Sequence, residues 1–314
     1  MTITQLQYVL AVAEHKNFTL AAQKCFVTQP TLSMQIQKVE EELDIQLFDR
    51  SKKPIQLTSI GQKIVNQAKN IVNEADRIQD IVQQEKGFIG GDFKLGIIPT
   101  IMPTLLPMFL NNFIKKYPKV NLIIEELNTD EIIFKLNNGR LDAAIAATPL
   151  LEEKIKEVVL YFEPFVVYSP KKQSLLDKKQ ITFDELNLDE LLLLQDGHCF
   201  RDNILNLCKN KSVSKDNHFQ LQSGSFETLI KLADEGLGIT LLPYLHTLNL
   251  SEVDQTKLVH FMEPKPAREV SLIYPKTELK IHIIDALRTT IAGVIKGAIV
   301  FQNVQIVSPK PEKK

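Results

Sequence analysis

Two amphipathic segments lie in the stretch Phe18-Thr-Leu-Ala-Ala-Gln-Lys-Cys-Phe-Val-Thr-Gln-Pro-Thr-Leu-Ser-Met-Gln-Ile-Gln-Lys-Val-Glu-Glu-Glu-Leu43. In the second segment, apolar residues recur at helical spacing: Leu32, Ile36, Val39 and Leu43. Pro30 suits the first position of this helix, with Thr28 or Gln29 near its cap. Together with a first helix from about Thr4 to His15, the pattern predicts a helix-turn-helix.

A short basic hairpin, or wing, is predicted next, at Phe48-Asp-Arg-Ser-Lys-Lys-Pro-Ile-Gln-Leu-Thr58. Residues 1–60 contain six Lys or Arg and six Asp or Glu, so net charge does not exclude a plain helical bundle. The distribution of charge is more informative, because acidic residues at 40–44 lie at the far end of the third helix while the wing is basic. This polarity would direct the N-terminal half of the third helix toward phosphates and base edges.

A long helix is predicted from Ser59 to about Gln84, because the only glycine in this range is Gly61 and there is no proline. Its apolar residues step alternately by four and three: Ile64, Ala68, Ile71, Ala75, Ile78 and Val82. Such a seam favours a partner helix and therefore a dimer, which would match two-fold DNA half-sites. The alternative is packing against the core of this same chain. Glycines at 87, 90 and 91 then mark a domain boundary.

Residues 92–300 alternate predicted strands with predicted helices, which is typical of an open α/β sheet with mainly parallel strands. The first set has strands at Phe93–Ile98, Val120–Glu125 and Leu141–Ala146 and helices at Leu105–Lys116 and Glu131–Asn137. The second set has strands at Phe165–Tyr168, Leu191–Leu194, Phe219–Leu221 and Ile239–Leu242 and helices at Cys199–Cys208 and Phe226–Glu235. A last strand, Glu269–Tyr274, and a helix, Ile281–Ile295, would return to the first set. We expect two lobes, with ligands outside the carboxyl ends of the strands.

Thr100 and Thr129 stand at that edge, because each follows a predicted strand and precedes a helix. They could face a bound ligand there. The alternative is helix capping, a role worth about 1 kcal/mol for each residue.

The segment Gly197-His-Cys-Phe-Arg-Asp-Asn-Ile-Leu-Asn-Leu-Cys208 holds two of the three cysteines. Cys199 lies near His198 and Arg201, and cationic neighbours lower the pKa of a thiol from its usual value of about 8.5. The helix predicted here would hold Cys199 in its first turn, where the macrodipole stabilises a thiolate. It would also place Cys199 and Cys208 on opposite faces, roughly 13.5 Å apart along the axis. The alternative is that both are small buried hydrophobes.

Composition sets broad bounds on the chain. With 314 residues, 44% of them hydrophobic and 24% charged, it is typical of a globular protein with two or three domains. A net charge of −1 gives no general attraction to nucleic acid or to an anionic membrane. No secretory signal and no apolar run long enough to span a bilayer is found, and three cysteines fit a reducing compartment, so we expect a cytoplasmic protein. The polar end, Ser308–Lys314, is predicted to be frayed.

The N-terminal domain resembles the LysR-type transcriptional regulators. The resemblance rests on the stretch Phe18–Leu43, on Leu47-Phe-Asp-Arg50 and on Leu57, Thr58 and Gly61. It implies that the third helix enters the major groove and that the wing contacts the DNA backbone. The residues so implied to bind DNA are Thr28, Gln29, Pro30, Thr31, Ser33, Gln35, Lys38, Arg50, Lys52 and Lys53. Cys25, on the apolar face of the second helix, is expected to be structural.

Further motifs resemble the peroxide-responsive members of that family. They are Ile98-Pro-Thr100, Gly139-Arg-Leu-Asp142, Asp196-Gly-His-Cys-Phe-Arg-Asp202 with Cys208, and Gly238-Ile-Thr-Leu-Leu-Pro243. The resemblance implies that hydrogen peroxide oxidises Cys199, the peroxidatic thiol, and that Cys208, the resolving thiol, then forms a disulfide with it. It also implies the residues that bind peroxide or stabilise the thiolate: Thr100, Thr129, His198, Arg201 and Arg268.

The resemblance also implies an architecture and a set of partners. The architecture is a winged helix-turn-helix at 1–58, a linker helix at 59–90, and a periplasmic-binding-protein-like regulatory domain at 91–300, followed by a tail at 301–314. Within the regulatory domain, subdomain I would comprise 91–163 and 267–300, and subdomain II 164–266. The implied partners are double-stranded DNA, hydrogen peroxide, a second copy or a homotetramer, RNA polymerase, and a cellular reductant of the glutaredoxin or thioredoxin type. No cofactor and no membrane association are expected.

Three other functions are weighed against peroxide sensing. A regulator of the same architecture could bind a small carboxylate metabolite in its cleft, with structural cysteines. A thiol peroxidase or a Cys-His hydrolase is a second alternative, although Cys199 and His198 have no evident third orienting group. A metal site formed by His198, Cys199 and Cys208 is the third, but their spacing matches no zinc pattern.

Overall fold

A computed structural model describes residues 1–85, 89–170, 180–186, 188–195, 199–207, 224–299 and 303–309 of the chain. The chain divides into two compact units, Met1–Phe88 and Ile89–Lys314. Among the described residues, no helix has both the length and the apolar character needed to cross a membrane. The domain boundaries drawn from the sequence stay predictions.

The N-terminal unit is a winged helix-turn-helix followed by a long helix. Its helices are α1 (Ile3–His15), α2 (Phe18–Lys24), α3 (Gln29–Leu43) and α4 (Ser59–Glu85), and its hairpin pairs β1 (Phe48–Asp49) with β2 (Gln56–Leu57). The predicted start of α3 is confirmed, because the Thr28 hydroxyl accepts a hydrogen bond from the Thr31 N–H and Pro30 lies in the first turn.

Some apolar residues of helix α4 pack within this unit, and others are exposed to solvent. Val65, Ala68 and Val72 are buried, and Ala68 and Val72 pack with Leu6 of α1. Of the predicted seam, Ala68 is buried and Ile64 packs against the core of this unit, so the alternative of packing within the chain holds at these two positions. Ala75 is partly buried, and the other three members of the seam are exposed: Ile71, Ile78 and Val82.

The second unit is built on one ten-stranded sheet, in the order β4-β3-β5-β11-β6-β10-β7, with β12 beside β11, β9 beside β6 and β8 beside β9. The strands are β3 (Gly91–Ile97), β4 (Val120–Glu126), β5 (Ala143–Thr148), β6 (Ile155–Tyr168), β7 (Gln180–Ile181), β8 (Leu191–Leu192), β9 (Ile239–Pro243), β10 (Leu258–Phe261), β11 (Lys265–Pro275) and β12 (Val304–Ile306). The helices are α5 (Met102–Lys116), α6 (Thr129–Asn137), α7 (Cys199–Leu207), α8 (Phe226–Asp234), α9 (Tyr244–Thr247), α10 (Glu252–Gln255) and α11 (Ile281–Ile295).

The predicted mainly parallel pairing is wrong for the centre of this sheet. β3 lies parallel to β4 and β5, but β11 pairs antiparallel with both β5 and β6, and β6 pairs antiparallel with β9 and β10. The physical reason is that β6 and β11 are long strands of 14 and 11 residues that run through both halves of the sheet. The sequence pattern revealed only a part of each. The strand predicted at Phe219–Leu221 lies outside the described residues.

Two hydrophobic cores flank these long strands. One is centred on β3, β5, α5 and α11 and includes Phe93, Phe109 and Leu287. The other lies beside β9 and α8 and includes Phe165 and Leu241. Cys199 belongs to the first core, whereas its neighbour Phe200 belongs to the second, so α7 begins where the two cores meet.

The prediction of a frayed end at Ser308–Lys314 is wrong at Ser308, whose carbonyl accepts from Asn206, while residues 310–314 lie outside the described residues. β12 lies parallel to the start of β11, from Lys265 to Ala267, and the Val307 N–H donates to the Ala267 carbonyl at 2.8 Å. Val307 is 7% exposed and belongs to the second core. The apolar residues Val304, Ile306 and Val307 lie in this segment. The polar composition of residues 308–314 gave no indication that the segment before them docks.

Candidate functional site

Cys199 is the first residue of helix α7 and is 5% exposed. The predicted position in the first helical turn is thus confirmed. Its sulfur lies beside Ala147, near the carboxyl end of β5, and close to Arg268 of β11 and Thr129 of α6. Cys199 is a free thiol in this structure. His198 and Cys208, the two predicted partners on either side, lie outside the described residues.

The pKa of the Cys199 thiol is raised, whereas the sequence predicted that it would be lowered. Burial raises the pKa of the Cys199 thiol above its ordinary value. Three groups oppose that increase: the Arg268 guanidinium, the Thr129 hydroxyl and the backbone N–H of Ala147. The Asp202 carboxylate raises the pKa further. The thiol is therefore mostly protonated at neutral pH, with a thiolate-stabilising set of groups already around it.

Arg268 lies at the centre of this site and is 0% exposed. Its Nε and Nη2 donate to Glu163 Oε2 at 2.9 and 2.7 Å. Its Nη1 donates to Thr100 Oγ1 at 2.8 Å, and its Nη2 also donates to the Thr100 carbonyl at 3.0 Å. The guanidinium carbon lies 5.3 Å from the centre of the Phe200 ring, the residue after Cys199. Four N–H groups thus hold Arg268 to β6 and to the turn that follows β3, and Phe200 of α7 lies beside its guanidinium.

The helix-capping alternative is wrong for both threonines. Helix α5 has Ile101 at its N-cap without a side-chain cap, and the buried Thr100 hydroxyl instead accepts from Arg268. Helix α6 is capped by Asn128, which leaves the Thr129 hydroxyl free of that role. The Thr129 oxygen is buried, lowers the pKa of Cys199, and makes no hydrogen bond of ordinary geometry in the described structure.

Arg201, unlike Arg268, is not among the groups that lower the pKa of Cys199. Its Nη1 donates to the Leu194 carbonyl at 3.0 Å, at the base of α7. Arg268 is the cation that most lowers the pKa of Cys199. Two further groups at the site, Glu163 and the Ala147 N–H, were missed. Glu163 is the single charged residue in the apolar run 158–168, which was a usable sequence signal for it. A backbone N–H such as that of Ala147 leaves no signal in the sequence.

Most of the predicted DNA-binding residues of the N-terminal unit are exposed. Ser33 and Gln35 are partly buried, and Gln35 accepts from the Gln5 side chain. Arg50 bonds Glu40 at 2.8 Å and lies over the Phe18 ring, so it also fastens the wing to α3. The others are exposed: Thr28, Gln29, Pro30, Thr31, Lys38, Lys52 and Lys53.

Cys25 follows α2 as its C-cap and is partly buried, and burial raises the pKa of its thiol. This environment agrees with a structural role. Across the described residues, no group of three or more His, Cys, Asp or Glu side chains could hold a metal ion.

Two family models match this arrangement of a DNA-binding unit and a sheet with a buried thiol. Residues 3–62 match the bacterial regulatory helix-turn-helix protein of the lysR family, and residues 86–294 match the LysR substrate binding domain. The chain belongs to the LysR family. Its fold is that of this family, with a winged helix-turn-helix, a linker helix and a regulatory domain of the periplasmic-binding-protein-like class.

Individual LysR-family relatives are similar over most of the chain. The hydrogen peroxide-inducible genes activator of Pectobacterium carotovorum subsp. carotovorum is 34% identical over 274 residues, which cover 87% of this chain and 90% of the relative. Full-length OxyR C199D from Pseudomonas aeruginosa superposes with a TM-score of 0.73 at 33% identity, covering 93% of this chain and 98% of that one. An H2O2-bound cysteine-to-serine mutant of Corynebacterium glutamicum OxyR has a TM-score of 0.61 at 27% identity, covering 95% and 93%.

Proposed function

We propose that this LysR-family chain is a DNA-binding transcriptional regulator that senses hydrogen peroxide at Cys199 and controls antioxidant genes. The observation that carries the proposal is the buried thiol at the start of α7, which lies beside the Arg268 guanidinium, the Thr129 hydroxyl and the Ala147 N–H. The names of the relatives and the peroxide bound to one of them support the same activity.

The first chemical step is attack of the Cys199 thiolate on one oxygen of peroxide. The S–O bond forms as the O–O bond breaks, and the leaving hydroxide takes up a proton to become water. Cys199 is then a sulfenic acid. Arg268 stabilises the thiolate, while the Thr129 hydroxyl and the Ala147 N–H are placed to hold the peroxide oxygens. Thr100 orients Arg268, and His198 is proposed to help hold the peroxide.

The second step joins Cys199 to Cys208. The Cys208 thiol attacks the sulfenic sulfur, an S–S bond forms and a second water leaves, so that one peroxide and two thiols give a disulfide and two waters. Helix α7 ends at Leu207, and a disulfide needs Cα atoms within about 7 Å. Because residues nine apart in a helix are about 13.5 Å apart along its axis, this bond requires α7 to unwind.

The unwinding of α7 couples oxidation to DNA binding. Phe200 and Ile204 leave the second core when the helix opens, so the regulatory unit repacks. We propose that the repacking changes how a dimer or tetramer of this protein contacts its operator and RNA polymerase. A glutaredoxin- or thioredoxin-type reductant in the cytoplasm then reduces the Cys199–Cys208 disulfide to two thiols. Because the chain carries a DNA-binding unit, signalling accounts for this chemistry better than turnover does, and we propose that the protein acts as a switch and not as an enzyme.

Mass spectrometry before and after stoichiometric peroxide tests the proposal. We expect a loss of two mass units, a Cys199–Cys208 cross-link and an unmodified Cys25. In a DNase footprint, Cys199→Ser should abolish the response to peroxide, and Cys25→Ser should retain it as the matched control. A normal response of Cys199→Ser would overturn the proposal. The metabolite-binding alternative would be favoured if carboxylate metabolites raised the melting temperature of the protein while peroxide left Cys199 and Cys208 reduced.

A further inference from the structure

Glu163 is a fully buried carboxylate beside the peroxide site. It lies on β6, directly opposite Arg268 of β11, and both residues are 0% exposed. One oxygen accepts two N–H groups of Arg268, and the other accepts the Leu245 N–H at 2.9 Å. Such a charge is costly to bury unless it is paired and hydrogen-bonded, and this one is both.

We propose that Glu163 is a positioning residue that aims the Arg268 guanidinium and competes with the Cys199 thiolate for its charge. This inference rests on the proposed function and names a control built into the same site. While the carboxylate neutralises Arg268, the sulfur remains largely in its thiol form. The degree of pairing between Glu163 and Arg268 therefore sets how readily Cys199 becomes a nucleophile.

The bonding of Arg268 supports this competition. A guanidinium has five N–H groups, and four of those of Arg268 donate to Glu163 or Thr100. The titratable groups around the pair are Asp202, Tyr161 and His246. Burial raises the pKa of Tyr161 and lowers that of His246, so both are neutral at pH 7. Glu163 is therefore the principal carboxylate that offsets Arg268, with Asp202 as the further negative charge near the sulfur.

The test measures alkylation of Cys199 by iodoacetamide as a function of pH, in a full-length Cys25→Ser/Cys208→Ser background. Glu163→Gln keeps the shape of the side chain and removes its charge, so we expect the midpoint pH to fall by about one unit, which is about tenfold faster alkylation below the midpoint. Glu163→Asp keeps the charge and should leave the midpoint near that of the parent. A purely structural residue would not move this pH profile.

A folded Glu163→Gln variant with an unchanged midpoint overturns the inference. If that variant does not fold, Glu163→Gln/Arg268→Met removes both buried charges and carries the test. Arg268→Met alone should slow alkylation, and adding Glu163→Gln should restore most of the parental rate; equal rates in the two variants also overturn the inference. Alkylation needs no peroxide, so this test is independent of the proposed function. A failure of peroxide sensing would appear instead in the mass spectrometry and footprinting of the chain without substitutions.

A second inference follows from a different observation, the contact between α7 and the C-terminal segment 303–309, here called the C-terminal clasp. The Asn203 side chain donates through Nδ2 to the Val307 carbonyl, and Asn206 Nδ2 donates to the Ser308 carbonyl at 2.9 Å. Asn203 is 0% exposed. The clasp is itself held by pairing of β12 with β11, immediately before Arg268.

We infer that the C-terminal clasp restrains helix α7 and slows the step from sulfenic acid to disulfide, again on the basis of the proposed function. When α7 unwinds, Asn203 and Asn206 leave their positions and both hydrogen bonds are lost. Val307 also loses its packing in the core that contains Phe200 and Ile204. Attack on peroxide requires none of these changes, so the clasp acts on the second chemical step alone.

Two truncations test the clasp. A chain ending at Gln302 lacks it, and a chain ending at Pro309 retains it as the matched control. After a peroxide pulse, sulfenic acid should appear at the same rate in both, while the disulfide should form at least about tenfold faster without the clasp. Equal disulfide rates overturn the inference. If the shorter chain does not fold, Asn206→Ala replaces it, with a smaller acceleration expected and an unchanged rate counting against the clasp.

Discussion

Thr100, Glu163 and Arg268 are joined across β6, β11 and the turn that follows β3, whereas Cys199 lies on a single short helix. In the strand frame, as we call those three residues, four hydrogen bonds join fully or almost fully buried groups. Helix α7 has nine residues, and two asparagine side chains fasten it to the clasp. On the proposed mechanism, the groups that stabilise the thiolate stay fixed, while the thiol lies on the helix that unwinds.

The largest expected effect comes from breaking the strand frame. Arg268→Met leaves Glu163 as a buried, unpaired charge, so the free energy of unfolding should fall by about 3–5 kcal/mol. Urea denaturation of the reduced full-length protein measures this loss. Glu163→Gln/Arg268→Met is the matched control and should recover much of it. A loss below about 1 kcal/mol for Arg268→Met would show that the frame does not depend on this pair.

A smaller loss is expected on the helix side of the comparison. Asn203→Ala deprives the buried Val307 carbonyl of its donor and should cost about 1–3 kcal/mol, measured in the same denaturation experiment. Asn206→Ala, at a partly exposed position, should cost less. If Asn203→Ala destabilised the protein as much as Arg268→Met, the helix would be fastened as firmly as the frame, and the contrast between them would be lost.

Thr129→Val separates chemistry from stability. The Thr129 hydroxyl has no hydrogen bond of ordinary geometry, so removing it should change the unfolding free energy by less than about 1 kcal/mol. Its loss should nevertheless slow peroxide oxidation of Cys199 by about tenfold, equivalent to about 1.4 kcal/mol. Stopped-flow kinetics measures that rate. Thr104→Val is the control, because the Thr104 hydroxyl donates within its own helix to Ile101 and should not affect the rate.

The smallest effect is the dependence of stability on pH. Since burial raises the pKa of Cys199, the unfolded chain loses this proton at a lower pH than the folded one. The Cys199 thiol makes its full contribution to the free energy of unfolding below the pKa of the unfolded chain, about 8.5. That contribution falls as the pH rises from there toward the pKa of the folded state, by less than about 1.4 kcal/mol per pH unit. Denaturation of Cys25→Ser from pH 7 to 10 should show the slope, and Cys25→Ser/Cys199→Ser should lack that contribution. Identical slopes would contradict it.

Local signals in the sequence predicted local structure well. Thr28 and Pro30 located the start of α3, and uninterrupted apolar periodicity located α11 at Ile281–Ile295. Cys199 was placed correctly at the start of a helix. Each of these features depends on residues within a few positions of one another, which is what helix periodicity and capping encode.

Features that depend on distant parts of the chain were not predicted. The net rise in the Cys199 pKa comes from burial between two cores, and no local pattern around residue 199 reports that burial. The resemblance supplied Arg268, but its pairing with Glu163 spans 105 positions and appears only when β6 and β11 are paired. The docked end of the chain was missed because its apolar residues are few and their contacts lie on α7 and β11.

The Ala147 N–H beside the Cys199 sulfur has a consequence for how this site can vary during evolution. Any residue except proline supplies the same donor at position 147. Most substitutions there cannot delete it, and an alignment of side chains cannot reveal it. This part of the sensor is inherited with the path of strand β5, whereas the contributions of Thr129 and Arg268 must each be kept by selection on a particular side chain.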